Sequence, residues 1–300
     1  MQTMKINLNT PIMVASGTYG YGDEVKGLVD VNNIGAIITK SVTRYPREGN
    51  PPPRISEERF GMLNSIGLAN LGVENFLIEK IPVINSLETD VIINVAGSKI
   101  DDYVETLEML ESSQGNHIGY EINISCPNVK EGGIEFGVSP KITEELTAHL
   151  RKITDKALIM KLSPNVTSIE DIGLAAENGG ADYVSAINTV VGMGIDSKTR
   201  KVKLNTVFGG YSGSAIKPIA LANVHKLFKA LSIPIIGIGG ISSTQDVLEF
   251  FLAGASMVQV GTSNYKSPNL AAIIDTELNQ YCEQKGLDSY KDLIGKVCYI

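Results

Sequence analysis

The 300-residue sequence predicts an α/β fold, specifically a (β/α)8 TIM barrel with long active-site insertions at the carboxyl face of the strands. Eight short runs rich in Ile and Val recur along the chain, and helical patterns lie between most of them. The runs lack a clean apolar–polar alternation, which is typical of parallel strands buried on both faces. A doubly wound sheet is the alternative. The runs cover residues 11–15, 36–40, 91–96, 120–125, 158–162, 183–188, 234–237 and 257–260.

Three of the helical segments carry recognisable start signals or an apolar face. Ser139 precedes Pro140, a residue that suits the first helical position, and apolar residues follow at helical spacing. Thr167 and Glu170 have the spacing of a capping box ahead of the next helix. A further apolar face runs over residues 246–253. These segments separate consecutive runs, as a barrel of this kind requires.

Two connections are unusually long, from residue 41 to about 75 and from residue 189 to about 216. Long segments in a compact barrel usually build the active site. No composition shift or linker divides the chain, so we expect one domain over residues 1–300. Because barrel enzymes carry their chemistry at the carboxyl ends of the strands, the residues that follow each run are the candidates.

Composition excludes several classes of protein. The net charge of −7 argues against nucleic acid or an anionic membrane as the main partner. Three scattered cysteines, Cys126, Cys282 and Cys298, are too few for a disulfide framework or an iron–sulfur cluster, and we expect no metal site. No signal-peptide pattern and no apolar run of membrane-spanning length is present, which predicts a cytoplasmic protein.

Glycines follow the seventh and eighth runs, where barrels often bind phosphate. The first group is Gly239-Gly240 and the second is Gly261-Thr262. Glycine lets main-chain N–H groups approach an anion closely, and the helix that follows adds its positive end. Tight turns without a ligand are the alternative. A Rossmann site is disfavoured, because no Gly-x-Gly-x-x-Gly follows the first run.

Small and polar residues also cluster at the other strand ends. Amides offer both a donor and an acceptor to a planar ligand, and a lysine offers a positive charge to a carboxylate or an electron-rich ring. Together they indicate a flavin phosphate on one side and a small carboxylate-bearing substrate on the other. The residues are Ser16, Gly17, Lys40, Ser41, Asn94, Asn123, Lys161, Asn188 and Thr189, with Asn64 added by the first long connection.

Cys126 directly follows the fourth run and is followed by Pro127, which takes the chain out of regular structure. A thiol at this place could be a small buried hydrophobe or a proton acceptor. The three histidines do not fall at strand ends. Since a free thiol titrates near pH ~8.5, modest tuning would make Cys126 a competent base near neutral pH.

Taken in chain order, these motifs resemble dihydroorotate dehydrogenase over essentially the whole sequence. Residues 123–128 are similar to that family's catalytic loop, 64–68 to its substrate loop, and 39–41 to its second strand end. Residues 238–240 with Gly261 and Thr262 are similar to its FMN phosphate site. A cysteine at position 126 resembles the soluble class 1 enzymes, because the membrane-bound class carries serine there.

The resemblance extends to a subtype. Residues 16–22, 126–137 and 212–218 are more similar to the catalytic subunit of the NAD-linked type B than to the fumarate-linked type. This implies electron transfer to NAD through a partner subunit that carries FAD and an iron–sulfur cluster. It also implies a homodimer or a heterotetramer.

The resemblance further implies a role for each candidate residue in the oxidation of dihydroorotate to orotate during pyrimidine synthesis. Cys126 would be the catalytic base. The substrate would be bound by Lys40, Asn64, Ser65, Ile66, Gly67, Leu68, Asn123, Asn128, Asn188 and Thr189. FMN would be bound by Ala15, Ser16, Gly17, Lys40, Ser41, Asn94, Asn123, Lys161, Ile187, Ser212, Gly213, Gly239, Gly240, Gly261 and Thr262.

Three alternatives remain open at this point. The first is a fumarate-linked dihydroorotate dehydrogenase. The second is a flavin-free, phosphate-binding aldolase in which Lys40 or Lys161 forms a Schiff base. The third is a flavoprotein that acts on another pyrimidine, such as uracil.

Overall fold

The computed structural model describes residues 5–125 and 136–299. The strands of this part are β1 Ile12–Val14, β2 Ala36–Ile38, β3 Ile55–Glu58, β4 Gly61–Asn64, β5 Asp90–Ala96, β6 Gly119–Asn123, β7 Ala157–Leu162, β8 Tyr183–Ala186, β9 Val190–Met193, β10 Ile195–Asp196, β11 Lys201–Val202, β12 Phe208–Ser212, β13 Ile235–Ile238 and β14 Met257–Val260. The α-helices are α1 Gly72–Glu79, α2 Ile81–Asn85, α3 Ile100–Glu111, α4 Pro140–Arg151, α5 Ile169–Asn178, α6 Lys217–Ala230, α7 Thr244–Ala253 and α8 Leu270–Lys285.

Eight of these strands close into a parallel barrel in the order β1, β14, β13, β8, β7, β6, β5, β2, and β2 pairs back onto β1. All eight predicted runs form strands of this barrel, so the (β/α)8 prediction is confirmed and the doubly wound alternative is wrong. Predicted and observed strand ends differ by up to two residues. Lys40, Ser125 and Asn188 therefore lie just beyond their strands, in loops.

The connections also follow the predicted alternation, with α-helices after every barrel strand except β1. After β1 the chain forms only short 3-10 turns, at Asp23–Val25 and Val31–Asn33. Ser139 is the N-cap residue of α4, as predicted. The capping box predicted at Thr167 is wrong, because α5 begins at Ile169 and its N-cap is Ser168, whose side chain accepts a hydrogen bond from the backbone N–H of Asp171.

The interior of the barrel has an apolar layer and a polar layer. Side chains two residues apart on a strand point to the same face, so each layer takes one residue from successive strands. The apolar layer is a buried cluster that includes Met13, Ile38, Ile92, Ile159, Tyr183, Ile236 and Met257. The polar layer lies closer to the carboxyl ends, two residues further along β5, β7, β8 and β14, with one more residue from β6. It consists of Asn94, Glu121, Lys161, Ser185 and Gln259. A second, larger core lies between the barrel and the helices.

The two long connections build a four-stranded antiparallel sheet in the order β3, β4, β12, β9. A small hairpin of β10 and β11 extends it. The sheet lies at the carboxyl face of the barrel, because the hydroxyl of Thr262, just beyond β14, donates to Ser212 Oγ at the end of β12 (2.7 Å). None of the helices in the described residues has the length and apolar character that crossing a bilayer demands.

Candidate active site

The loop after β13 forms a cradle that admits only glycine. Gly239 and Gly240 have φ angles of +129° and +77°, a region that favours glycine. A Cβ on Gly240 would lie 2.8 Å from the backbone nitrogen of Lys217, the first residue of α6. The loop therefore packs directly against the start of that helix.

The start of α6 continues from the 3-10 turn Ser214–Ile216, and the backbone N–H of Lys217 donates to Ser214 O. The N-cap residue of α6, Ile216, provides no side-chain hydrogen bond to the first turn, and neither does Gly261 ahead of the 3-10 helix Thr262–Tyr265. Lys217 Nζ contacts Asp246 (2.6 Å) and Glu249 (2.8 Å), so its charge is already compensated. The cradle would bind an anion through main-chain N–H groups, as helix N-termini do.

Residues from two other barrel segments meet this cradle. Ala15 donates its backbone N–H to Val260 O (2.8 Å) at the end of β14. Ser16 Oγ donates to the carbonyl of Thr39 (2.8 Å), and nothing approaches the Cβ position of Gly17 within 4 Å. Ile187 donates its backbone N–H to Ile238 O (2.9 Å). The structure thus places Ala15, Ser16, Gly17 and Ile187 around the ends of β13 and β14, where sequence analysis predicted cofactor contacts.

Ser212 and Gly213 reach the cradle from the antiparallel sheet. Ser212 accepts the hydrogen bond from Thr262 described above. Gly213 has a φ of +112°, and a Cβ there would lie 2.5 Å from Gly61 Cα, so the backbones of the two segments are in close contact. The phosphate candidates of the barrel and the sheet candidates therefore form one continuous surface.

Below the mouth, Glu121 organises the polar layer. Its side chain is 0% exposed. It accepts four hydrogen bonds, each from a different strand: Asn94 Nδ2 (2.8 Å), Lys161 Nζ (3.2 Å), Ser185 Oγ (2.9 Å) and Gln259 Nε2 (2.7 Å). Because every partner donates, the arrangement suits an ionised carboxylate. Such a charge is stable in the interior only when it is paired and hydrogen-bonded, as it is here.

This layer refines two predictions. Both polar atoms of the Asn94 side chain are used within the protein, since Ser41 Oγ donates to its Oδ1 (2.6 Å) and its Nδ2 donates to Glu121. Lys161 is nearly buried, with its side chain 8% exposed, and it rests on Glu121. Sequence reasoning missed Glu121, Ser185 and Gln259, although polar residues inside otherwise apolar runs were a usable signal.

At the mouth, the predicted amides come together. Asn123 Oδ1 accepts hydrogen bonds from Asn188 Nδ2 and from the backbone N–H of Ser125, both at 3.2 Å. Asn188 Oδ1 accepts from the backbone N–H of Thr189 (2.8 Å). Lys40 is half-buried, and within residues 5–125 and 136–299 its ammonium has no hydrogen bond or ion pair. A polar rim with an uncompensated cation therefore surrounds the opening.

The 64–68 segment reaches the same rim at one end. Asn64 Nδ2 donates to Gly210 O (3.4 Å), and a Cβ on Gly210 would lie 2.1 Å from Thr189 Oγ1. Asn64 and Thr189 are therefore neighbours of one backbone segment.

Residues 65–68, the rest of the 64–68 segment, are bonded to residues of the first long connection and not to the rim. The backbone N–H of Ser65 donates to Arg54 O (2.8 Å), and Ile66 O accepts from Asn50 N (3.0 Å). Gly67 and Leu68 follow with positive φ angles of +77° and +56°. Ser65 Oγ is buried without a hydrogen-bond partner in the part of the chain described, so it is a polar atom that a ligand could satisfy.

Cys126 and Asn128 lie outside the described residues. Ser125, directly before them, is described, and its Oγ donates to the carbonyl of Lys161 (3.3 Å). Across 5–125 and 136–299, no group of three His, Cys, Asp or Glu side chains could hold a metal ion.

The described histidines take no part in the rim. His117 precedes β6 and is buried beside Tyr120. His149 contacts Glu145 O in its own helix, and His225 contacts Ala253 O. The prediction that the histidines stand apart from the strand ends is confirmed; the burial of His117 was not foreseen.

Comparison with known proteins identifies close relatives. The family model described as Dihydroorotate dehydrogenase matches residues 1–282. The chain is 47% identical to "Dihydroorotate dehydrogenase B (NAD(+)), catalytic subunit" of Bacteroides thetaiotaomicron, over 97% of this chain and 96% of the relative. It is 48% identical to the protein of the same name from Geotalea daltonii, over 97% and 95%. A Solibacter usitatus protein provisionally named dihydroorotate dehydrogenase A (fumarate) is 44% identical, also over 97% and 95%.

Proposed function

Because the chain belongs to the dihydroorotate dehydrogenase family, we propose that it oxidises (S)-dihydroorotate to orotate in the de novo synthesis of pyrimidines, with FMN as its cofactor. The observation that carries this proposal is the barrel mouth, where a glycine cradle packed against the start of α6 lies beside a rim of amides. We treat residues 1–300 as a single FMN-binding barrel domain. The two cysteines that the structure describes, Cys282 and Cys298, are free thiols, which suits the reducing environment of the cytoplasm.

The residues present fit FMN. Gly239 and Gly240 form a surface next to the N-terminus of α6 where no side chain could be accommodated. Such a surface suits a phosphate. Gly261 and Thr262 extend this surface, with Ala15 to Gly17, Ile187, Ser212 and Gly213 around it. When bound, FMN supplies the acceptor for the hydride that leaves C6 of the substrate.

Charged and amide side chains provide the remaining contacts. Lys161 would place its ammonium at the pyrimidine edge of the flavin. Ser41 and Asn94 would contact the flavin from the barrel interior. Asn64, Asn123, Asn188 and Thr189 would read the polar edges of dihydroorotate, together with Asn128 and the 65–68 segment. The ammonium of Lys40, which has no hydrogen bond or ion pair within residues 5–125 and 136–299, suits the substrate carboxylate.

Cys126 would act as the general base. As a thiolate it would take the proton from C5 while C6 loses hydride, and the C5–C6 bond becomes the double bond of orotate. A cysteine can hold this proton near neutral pH because its ordinary pKa is only about 8.5. The two described histidines nearest in sequence, His117 and His149, are bonded to protein groups away from the mouth.

The electron acceptor that we propose is NAD, reached through a partner subunit that carries FAD and an iron–sulfur cluster. The names of the B-type relatives include the words "catalytic subunit", which supports a partner for this chain. We expect the catalytic chain to form a homodimer or, with the partner, a heterotetramer. Fumarate is the competing acceptor, in line with the name of the Solibacter relative.

An aldolase that uses Lys161 is disfavoured by the polar layer. Schiff-base formation needs a neutral amine. In the structure Lys161 Nζ contacts the buried carboxylate of Glu121 at 3.2 Å, an ion pair that a neutral imine would lose.

Product analysis tests the proposed function. The FMN-loaded chain is mixed with (S)-dihydroorotate and a redox dye, and orotate is measured by its absorbance. We expect orotate to form in step with dye reduction. Dihydrouracil, tested in parallel, should be inactive, because it lacks the carboxylate. Turnover of dihydrouracil without turnover of dihydroorotate would show that the substrate is a different pyrimidine.

A further inference from the structure

The carboxylate of Glu121 is the point on which the polar layer converges, and none of the roles above uses it. It is completely buried and joins donors from β5, β7, β8 and β14. An apolar residue at this position would continue the apolar layer beneath it. A buried carboxylate is costly and gives little net stability even when it is paired. Stability alone therefore gives a weak reason for a charge at this place.

Lys161 connects Glu121 to the mouth. It is paired in register with Asn123 across the β6–β7 ladder, and Asn123 carries the contact to Asn188 at the rim. Glu121 is the only hydrogen-bond acceptor of Lys161 Nζ within residues 5–125 and 136–299. An ammonium has three donors, so two remain for groups at the mouth. The carboxylate of Glu121 thus binds the Lys161 ammonium from the barrel interior, and the remaining donors of the ammonium are available to groups at the mouth.

We propose that Glu121 is a positioning residue that holds the Lys161 ammonium in place, directed at the pyrimidine edge of the flavin, and that it thereby raises the reduction potential of the flavin. This inference rests on the proposed function. A lysine has a flexible four-carbon stem and favours the neutral amine when it is buried without a partner. Reduced flavin carries negative charge on its pyrimidine ring, so a fixed cation there favours the reduced form.

The test is the midpoint potential of the FMN-loaded chain, measured by reductive titration without substrate. Glu121→Gln keeps the size of the side chain and removes its charge. If Glu121 acts through Lys161, this variant should bind reduced flavin at least ~10-fold less well relative to oxidised flavin, a fall of about 30 mV for a two-electron couple. If instead the negative charge of Glu121 acted on the flavin directly, it would disfavour the reduced form, and its removal would raise the potential.

The same substitution in a Lys161→Met background separates these possibilities. There the cation is absent, so Glu121→Gln should leave the potential unchanged or raise it. Ser185→Ala is the matched control, because it removes a hydrogen bond to Glu121 Oε2 and leaves the contact between Lys161 Nζ and Oε1 in place, and it should shift the potential far less. An unchanged or raised potential in Glu121→Gln alone would overturn the inference.

Thermal unfolding of the flavin-free chain tests the ion pair without the cofactor. Glu121→Gln and Lys161→Met should each lower the melting temperature, and the double variant should be more stable than the sum of the two effects predicts, because it leaves no buried charge unpaired. Additive losses would show that the two side chains do not act as a pair. Flavin binding with unmoved potentials contradicts this inference alone, whereas a chain that binds no flavin contradicts the proposed function as well.

Discussion

Gly240 and the backbone nitrogen of Lys217 are so close that a Cβ on the glycine would lie 2.8 Å from that nitrogen. Contacts below 3.0 Å are not tolerated by a real Cβ, and the neighbouring atom is backbone at the start of α6. Any side chain at position 240 must therefore displace either the glycine loop or the helix N-terminus. Both are parts of the proposed phosphate site.

Gly240→Ala should consequently weaken FMN binding by at least ~10-fold, since the N–H groups would lose their close approach to the phosphate. Equilibrium dialysis of apoprotein against FMN measures the change. Gly27→Ala is the matched control, because Gly27 has nearly the same φ (+79° against +77°) but nothing within 4 Å of its Cβ position. Equal losses of affinity in the two variants would mean that backbone strain, and not the cradle, is responsible.

Cys126→Ser should retain FMN and slow its reduction by dihydroorotate by ~10²–10⁴-fold, the usual contribution of a general base. A hydroxyl is a far weaker acid than a thiol, so little alkoxide is available near neutral pH. Stopped-flow absorbance of the flavin gives the rate, and residual activity should keep rising with pH beyond the range where the native rate levels off. Cys282→Ser, on α8, is the control and should react at the native rate. Native kinetics in Cys126→Ser would remove this residue from the mechanism.

His117 should make the fold sensitive to mild acid. Tyr120 donates its hydroxyl to Glu111 (2.6 Å), so its oxygen accepts from His117 Nε2 (2.7 Å), and His117 Nδ1 is buried with no partner among the described residues. Burial, together with the nearby charge of Lys156, lowers the pKa of His117 to about 4. Between pH ~6.5 and ~4 the unfolded chain takes up a proton that the folded chain does not bind, so stability falls as pH falls.

The free energy of unfolding should fall by about 3 kcal/mol between pH ~6.5 and the acid end of that window. Above pH ~6.5 the titration of His117 should not change it. Chemical unfolding at pH 7.5, 6.5 and 5 measures it. In His117→Gln, which keeps a nitrogen donor for Tyr120, the decrease between pH 6.5 and 5 should be clearly smaller. The same decrease in both proteins would place the acid sensitivity in other groups.

The isolated chain should reduce dyes with dihydroorotate but hardly reduce NAD. It lacks a dinucleotide fingerprint, and its three cysteines cannot supply an iron–sulfur cluster. Orotate formation is compared with NAD, with fumarate and with a dye as acceptor, and co-expression with an iron–sulfur flavoprotein should restore the reaction with NAD. Brisk turnover with fumarate alone would assign the chain to the fumarate-linked type.

The barrel could be predicted from the sequence because its eight strands are buried on both faces and alternate with amphipathic helices. Few other folds share this pattern. The glycine cradle was predictable for a similar reason, since glycines at 239 and 240 follow the seventh strand. The roles of individual residues in ligand binding and catalysis stay predictions.

Other features depend on contacts between distant segments and could not be predicted in the same way. The antiparallel sheet pairs β4 with β12, which are separated by more than a hundred residues, and neither shows a strong strand pattern alone. The Glu121 network likewise needs the closure of the barrel to bring four strands around one carboxylate. At the start of α5, the spacing of Thr167 and Glu170 predicted a cap at Thr167, but the backbone conformation places the N-cap at Ser168.

The proposed oxidation of dihydroorotate is tested most directly by an anaerobic titration of the FMN-loaded protein with (S)-dihydroorotate, followed by the flavin absorbance. We expect the oxidised flavin bands to bleach stoichiometrically as orotate appears, and the bleaching to be slowed strongly in Cys126→Ser. Flavin that stays oxidised in the presence of excess dihydroorotate, in protein that is folded and fully loaded, would contradict the proposed oxidation.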